Sequence, residues 1–383
     1  MGHRVSRLNR LQLAIIGAGR MGRIRANSAR AHSRCQVVAV ADAISGNAAS
    51  LAGELGCDWS TDWTTVAFRE DVDAVVVATP HKYLSEITTA ALRAGKFVFC
   101  EKPGARTPAE AESIRTALAS AAAADGSLSQ QERLVVGFTL RHHPAVNRAH
   151  ELLLNGEIGE SMYVRGRYGH GGRPGYGQEW RGNAELAGGG ELLDQGVHLI
   201  DLGRWFLGEF EQVSGMLGSY CWGSSDSGPV LEDNAFLLLR TVRGKLASLH
   251  ASWTQWKNLF SFEVYGEQGS LEISGLGGSY GPERLVISRR RTAGGAPDTH
   301  EIPLNSPDSS TVEDVWSREW EAFVSTALGT RASGPDDPCL SSSATALDCW
   351  QALRVVEAAY KCSETGVLVR LGQDAAGTVA TVS

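Results

Sequence analysis

Leu11-Gln12-Leu13-Ala14-Ile15-Ile16-Gly17-Ala18-Gly19-Arg20-Met21-Gly22 is an apolar run of β-formers that breaks into a glycine turn. A helical stretch, Arg20 to about Ala31, follows. A second apolar run, Gln36-Val37-Val38-Ala39-Val40-Ala41, then ends at Asp42. Strand, G-x-G-x-x-G turn, helix, strand and acid come in the order that holds a dinucleotide. Gly17 permits the tight turn, Gly19 lets a pyrophosphate approach the backbone, and Gly22 lets helix pack close to strand. Arg20 and Met21 open a helix whose N-terminal N–H groups and partial positive charge suit phosphates. Asp42 is placed to accept hydrogen bonds from ribose hydroxyls. It would repel a 2′-phosphate, which favours NAD and leaves NADP open to nearby cations. Without its flanks the same glycine pattern is an ordinary turn; the strand before, the helix after and the acid beyond carry the reading.

The 383 residues suit two domains around sizeable cores. We expect a flexible tail at 1–10, a dinucleotide-binding Rossmann domain at 11–143, a substrate-binding and oligomerisation domain at 144–372, and a frayed tail at 373–383. The net charge of −7 argues against a general nucleic-acid binder. No stretch approaches the ~18 apolar residues of a membrane helix, and the arginine-bearing start lacks the apolar core of a secretory signal. The seven cysteines are scattered without a C-x-x-C pair, which fits a reducing cytoplasm.

Between 42 and 143 strands alternate with helices. Ser45 would cap a helix ended by Gly56, and Asp73-Ala74-Val75-Val76-Val77-Ala78-Thr79 is a strand covered on both faces, stopped by Pro80. A helix from Tyr83 to Ala94, a strand at Phe97-Val98-Phe99-Cys100, a helix from Pro108 capped by Thr107, an exposed connection at 125–132 and a strand at 134–138 complete a parallel, doubly wound α/β sheet. Beyond Arg141 the pattern becomes α+β with a large, mostly antiparallel open sheet. Its strand candidates are about 162–167, 210–222, 234–242, 245–254, 260–265, 270–274, 284–289, 299–303 and 367–371. Helices are expected at 191–206, 312–328 and 343–362.

Two further groups carry chemistry. Glu101-Lys102-Pro103 ends a parallel strand, the edge where ligands bind in such sheets, and a lysine there can stabilise charge developing on a substrate oxygen. The Lys102–Pro103 bond is a candidate cis peptide. The second group is Gly188-Gly189-Gly190-Glu191-Leu192-Leu193-Asp194-Gln195-Gly196-Val197-His198-Leu199-Ile200-Asp201. Asp194 and His198 stand four apart, so a helix puts both on one face, with Asp201 one turn on and Gly196 leaving room between them. Imidazole near a carboxylate is a proton carrier around neutral pH. A packed histidine with a helix-start acid has the same spacing. A metal site would need ligands that no other cluster supplies, so none is expected. Around this helix, Tyr168, His170, Tyr176, Trp180, Arg181 and Asn183 precede it and Trp253, Trp256, Lys257 and Asn258 follow. Aromatic faces beside hydrogen-bonding groups suit a sugar ring, and equally suit core packing.

Taken together and in this order, the fingerprint at 17–22, Glu101-Lys102-Pro103, and Gly188-Gly189-Gly190 followed by Asp194 and His198 resemble the Gfo/Idh/MocA oxidoreductases over nearly the whole chain. The resemblance implies a Rossmann domain followed by a domain whose open sheet mediates homodimers or homotetramers. It implies NAD(P)-dependent hydride transfer at a secondary alcohol or ketone carbon of a sugar, amino sugar, nucleotide sugar or cyclitol. Lys102 would be the catalytic donor, His198 the acid/base and Asp194 its partner. Cofactor contacts would come from Gly17, Gly19, Arg20, Met21, Gly22, Asp42, Thr79, Pro80, His81, Glu101 and Lys102. Substrate contacts would come from Arg165, His170, Trp180, Arg181, Asp194 and His198. The chain departs from the family pattern at His81, where Asn is common, and at Leu84 and Arg25, where His is common. Two rival readings are a glycosidase that oxidises its substrate transiently with bound NAD, and a cofactor-binding sensor without catalysis. Retention of Lys102 and His198 ranks the sensor last.

Overall fold

The computed structural model describes residues 10–125, 133–222, 230–304, 312–330 and 342–372. Residues 1–9 of the tail expected at 1–10, the tail expected at 373–383, and residues 126–132 of the expected connection lie outside these. Contacts divide the chain into two compact units, Met1–Thr139 with Trp316–Trp350, and Leu140–Val315 with Gln351–Ser383.

In the first unit, β1 (Leu11–Ile16), β2 (Cys35–Ala41), β3 (Asp58–Ser60), β4 (Ala74–Val77), β5 (Phe97–Glu101) and β6 (Leu134–Gly137) form one sheet in the order β3-β2-β1-β4-β5-β6. Every pairing in it is parallel. Helices α1 (Arg20–Ala31), α2 (Ser45–Leu55), α3 (Trp63–Ala67), α4 (His81–Arg93) and α5 (Pro108–Asp125) connect the strands. Strand order reverses between β1 and β4, the place where such sheets open a ligand crevice. β4 is buried at every residue, as a strand covered on both faces must be. Thr107 caps α5, accepting from Glu110 N at 3.2 Å. Three local expectations change. Ser45 lies inside α2, which Ile44 precedes without a side-chain cap. α4 begins at His81, directly after Pro80. β3 and α3 were not expected, because Asp58-Trp59-Ser60 is a short edge strand without an apolar run and α3 is a single turn capped by Asp62.

The second unit contains α6 (Pro144–Leu154), β7 (Ser161–Gly169), α7 (Ala184–Ala187), α8 (Val197–Leu207), β8 (Phe210–Gly218), β9 (Asn234–Thr241), β10 (Leu246–Ser252), β11 (Leu259–Gly266), β12 (Gly269–Ser274), β13 (Arg284–Arg289) and β14 (Asp298–Glu301). After α9 (Val312–Ala327) and α10 (Ala346–Thr365), β15 (Val369–Arg370) completes a nine-stranded sheet, β14-β13-β12-β11-β7-β10-β9-β8-β15. Its pairs are antiparallel except β7 with β10, which run parallel. α8 packs on one face: a Cβ built at Gly166 of β7 would lie 3.1 Å from the Leu199 side chain. On the alternate positions Met216, Phe236, Leu238 and Leu246 turn outward and are exposed, as the period-2 pleat requires.

Residues 320–328 add apolar surface to the core of the first unit. Trp320, Phe323, Val324, Ala327 and Leu328 join the core of Leu11, Leu13, Ile15, Phe97 and Phe99. Phe99 meets Trp320 at 5.9 Å and Phe323 edge-on at 5.6 Å between ring centroids. Sequence reading placed this segment with the second domain and the boundary at 143; the contacts place the boundary after Thr139 and the segment with the first unit.

Candidate active site

The crevice of the first unit is shaped by two glycines that the fold itself closes to side chains. Gly17 has φ +95°, and a Cβ there would lie 2.4 Å from Ala78 O at the end of β4. At Gly22 a Cβ would lie 1.8 Å from Gly17 O. Gly19 is the opposite case, with no heavy atom within 4 Å of its would-be Cβ. It immediately precedes α1, whose first turn holds Arg20 and Met21 and no acid. Open space over a helix N-terminus is what a pyrophosphate requires. Asp42 is fixed beside this turn: its Oδ2 accepts from Ala18 N at 2.7 Å and its Oδ1 from Ile44 N at 2.8 Å. Thr79 and Pro80 leave β4, and His81 starts α4 with 3% exposure. These residues fit a dinucleotide.

At the end of β5, Glu101 is buried and Lys102 half-buried. The Lys102–Pro103 peptide is cis, as the sequence suggested. Gly104 N donates to Glu101 O at 3.0 Å, and the Cys349 thiol to Pro103 O at 3.0 Å, so this turn is braced on both sides. Burial pushes the Glu101 carboxyl above the usual range, against the opposing pull of the Arg25 guanidinium.

In the second unit the stretch before α8 is wound as a π-turn, Leu192–Gly196, rather than as the plain α-helix expected from 191. Single π-turns recur at functional sites because they reset which side chains share a face. Glu232 stitches its start. The Glu232 carboxylate accepts from Gly190 N at 3.1 Å, Leu192 N at 3.0 Å and the Tyr360 hydroxyl at 2.7 Å. A Cβ on Gly190 would meet Glu232 O at 2.1 Å, which accounts for glycine there.

Asp194 is buried on this turn and accepts from Arg181 Nε at 2.9 Å. His198 follows at 8% exposure. Tyr168, from the end of β7, sets its ring at 71° to the His198 imidazole with centroids 6.1 Å apart. It also meets Tyr280 at 5.6 Å. Burial, with Tyr280 and Glu191 next in weight, lifts the Tyr168 phenol well above its usual range, and burial with Glu191 lifts Tyr280 to about 12. Both phenols therefore stay protonated donors at neutral pH. Burial lowers the His170 imidazole, with Asp194 pulling the other way. His170 accepts from Gly172 N at 2.9 Å and meets Tyr176 edge-on at 5.6 Å. Arg181 lies over the Trp180 ring at 4.4 Å.

The structure thus gathers Tyr168, His170, Tyr176, Arg181, Asp194 and His198 in one neighbourhood, with Trp180 against Arg181. Arg165 is not among them. It occupies the other face of β7, exposed, paired with Glu263 and accepted by the Tyr265 hydroxyl at 2.6 Å. An odd position on a strand faces away from its even neighbours, so Arg165 and Tyr168 diverge. Asp201 does not extend the stripe toward ligand: Arg141 Nε reaches it at 2.8 Å and Nη2 at 2.5 Å, both side chains being buried. Gly196 makes room for packing, since a Cβ there would lie 3.1 Å from Leu192 Cδ1 and 3.3 Å from Ala251 Cβ. Trp253 is core at 2% exposure, Trp256 is outward at 68%, and Asn183 caps α7. Sequence reading missed Tyr280, Glu191 and Glu232. Only Glu191, inside the quoted motif, carried a local signal; the other two come from remote segments.

A doubly wound parallel sheet with a glycine turn at its switch point that suits a dinucleotide is the cofactor domain of an NAD-binding oxidoreductase. Residues 11–124 match the model for the oxidoreductase family with NAD-binding Rossmann fold, and residues 146–272 match the GFO/IDH/MocA C-terminal domain. The chain belongs to the GFO/IDH/MocA family. Levoglucosan dehydrogenase of Pseudarthrobacter phenanthrenivorans is 30% identical over 249 residues, spanning 58% of this chain and 61% of that relative. Inositol 2-dehydrogenase of Rhizobium meliloti is 27% identical over 315 residues, 82% of this chain and 88% of the relative. Among solved structures, an oxidoreductase domain protein from Kribbella flavida superposes with TM-score 0.79 at 26% identity, covering 95% of this chain and all of that one. Levoglucosan dehydrogenase in complex with NADH does so with TM-score 0.79 at 23% identity over 95% of this chain and 100% of that chain.

Proposed function

We propose that the protein transfers a hydride between NAD and a secondary carbinol or ketone carbon of a sugar or cyclitol, with free sugars, amino sugars, nucleotide sugars and inositols as the substrate range. The observation that carries this reading is the π-turn: Asp194, ion-paired with Arg181, and His198, flanked by Tyr168, stand on one short buried stretch among hydrogen-bonding phenols. The names of the relatives, for inositol and for levoglucosan, support the same substrate class. Nicotinamide, when bound, supplies the hydride acceptor. In oxidation His198 takes the hydroxyl proton, Lys102 donates to the oxygen as negative charge develops on it, and Asp194 holds His198 or a neighbouring hydroxyl. In reduction His198 returns the proton and Lys102 polarises the carbonyl. Asp42 supports NAD over NADP, because its two backbone hydrogen bonds hold a carboxylate beside the ribose position. The exposed apolar face of the nine-stranded sheet supports self-association through that sheet.

A redox-neutral variant of the same chemistry is the second reading. It is favoured by a relative named 2,7-anhydro-N-acetylneuraminate hydratase, 27% identical over 274 residues. A screen of inositols, levoglucosan and glucosides with NAD and with NADP separates the two. Lasting NADH absorbance supports the dehydrogenase, and product without lasting NADH supports the redox-neutral enzyme. Lys102→Ala and His198→Ala should each lower turnover by roughly 100-fold or more while NADH still binds. Wild-type turnover in both would end the proposal.

A further inference from the structure

Arg25 lies in α1, three residues beyond the fingerprint, and its side chain is wholly buried. Its Nε donates to Glu101 Oε1 at 2.6 Å, its Nη1 lies 2.8 Å from Glu319 Oε2, and its Nη2 reaches Thr139 Oγ1 at 3.4 Å. The Thr139 hydroxyl in turn donates to Glu319 Oε2 at 2.8 Å. The guanidinium is sandwiched, 4.3 Å from the Phe99 ring centroid and 4.7 Å from that of Trp316. One buried guanidinium therefore ties the fingerprint helix, the end of β5 and α9 together. Neither Glu101, at 8% side-chain exposure, nor Glu319, at 0%, is open to water. Burying a cation with two carboxylates adds little net stability over an apolar trio of the same shape. What it supplies is direction toward Glu101, because the planar guanidinium donates to that carboxylate along a fixed line while Glu319 balances the charge from the other side.

Glu101 is covalently joined to Lys102. We infer that Arg25 is a positioning residue for Lys102: through its hydrogen bond to Glu101 it fixes where β5 ends and hence where the lysine amine is presented to the reacting oxygen. This rests on the catalytic reading of Lys102 above. The device explains why a second acid is recruited from α9. Glu319 and Thr139 hold the far side of the guanidinium, so the fork cannot rotate away from Glu101.

The test is Arg25→Lys in the full chain, followed with NADH fluorescence for cofactor binding and with steady-state turnover of inositol, levoglucosan or a glucoside. Lysine keeps the charge and gives up the fork. Misplacement by about an ångström costs turnover on the order of 100-fold. We expect kcat to fall by that order while the NADH Kd and the substrate KM stay within about threefold. Glu319→Gln leaves the Arg25–Glu101 bond in place and should lower kcat by less than about tenfold. If Arg25→Lys does not fold, Glu101→Asp carries the test. It keeps the charge, draws the carboxylate back by one methylene, and should show the same split of kcat from KM. A kcat within twofold of wild type in Arg25→Lys overturns the inference, and so does a folded Arg25→Lys in which the NADH Kd or the substrate KM rises along with the loss of kcat. Lys102→Ala in the same assay tells the two readings apart. Its full activity overturns the catalytic reading and this inference together, whereas its inactivity beside an active Arg25→Lys overturns this inference alone.

Discussion

The three fingerprint glycines should separate cleanly in experiment, because the protein excludes a side chain at two of them and leaves the third open. Gly22→Ala puts a methyl 1.8 Å from Gly17 O. Ordinary contact needs a separation above 3.0 Å, so helix and turn must part by more than about an ångström. Overpacking of that kind costs about 1–3 kcal/mol or more, which in a protein of this size lowers the melting temperature by roughly 1–4 °C or more. Gly19→Ala meets nothing within 4 Å, and its φ of −72° suits any residue. Loss of chain entropy in the unfolded state favours alanine by about 0.4–1 kcal/mol. Loss of a preferred residue at a helix N-cap opposes it by a similar amount. The melting temperature of the free protein should thus move by less than about 1 °C, yet NADH should bind at least about tenfold more weakly, since the methyl occupies the path of the phosphates. Thermal denaturation without cofactor and fluorescence titration with NADH measure the two effects independently. NADH affinity unchanged in Gly19→Ala would refute the crevice as the phosphate site, and a large loss of stability there would refute the geometry.

Two other outcomes can be checked with the same preparations. Asp42→Asn removes the charge and keeps one side-chain acceptor, so only one of the Ala18 and Ile44 amides retains its partner. The ratio of kcat/KM for NADP over NAD should rise by roughly 10–100-fold, the effect of about 1.4–2.8 kcal/mol of removed repulsion; an unchanged ratio would show that Asp42 does not select the cofactor. His150 of α6 stacks on Trp205 at 3.7 Å, and burial lowers its pKa to about 4. A folded pKa below the unfolded value of ~6.5 means stability is fully present above pH 6.5 and lost as pH falls toward 4. The contribution is about 3 kcal/mol. His150→Phe should flatten the change in urea midpoint between pH 7 and pH 4.5, and a slope equal to that of wild type would reject it.

Sequence was a good guide where function and local structure depend on neighbours in the chain. The turn at 17–22 and the fully apolar β4 announce the parallel sheet, because one needs glycine at stated spacings and the other needs no polar face. The second sheet was visible strand by strand through alternation. The parallel pairing of β7 with β10 was not, since both strands alternate as antiparallel ones do. Arg165 was expected at the site as the resemblance implied, and only the register of β7, which sends it opposite to Tyr168, moves it away. The spacing of Asp194 and His198 was readable, whereas the π-turn under them depends on Glu232 and Tyr360, whose contacts span many residues. Arg25 looked like a departure from a family pattern, and its meaning needed Glu319, about three quarters of the chain's length away.

The placement of Trp320, Phe323 and Leu328 among the strands of the first unit has a consequence for biosynthesis. As the polypeptide emerges from the ribosome, β1 to β6 must wait with one wall of their interior uncovered until α9 is made. Synthesis halted before α9 would leave that hydrophobic flank open, the kind of surface that makes incomplete chains prone to aggregate.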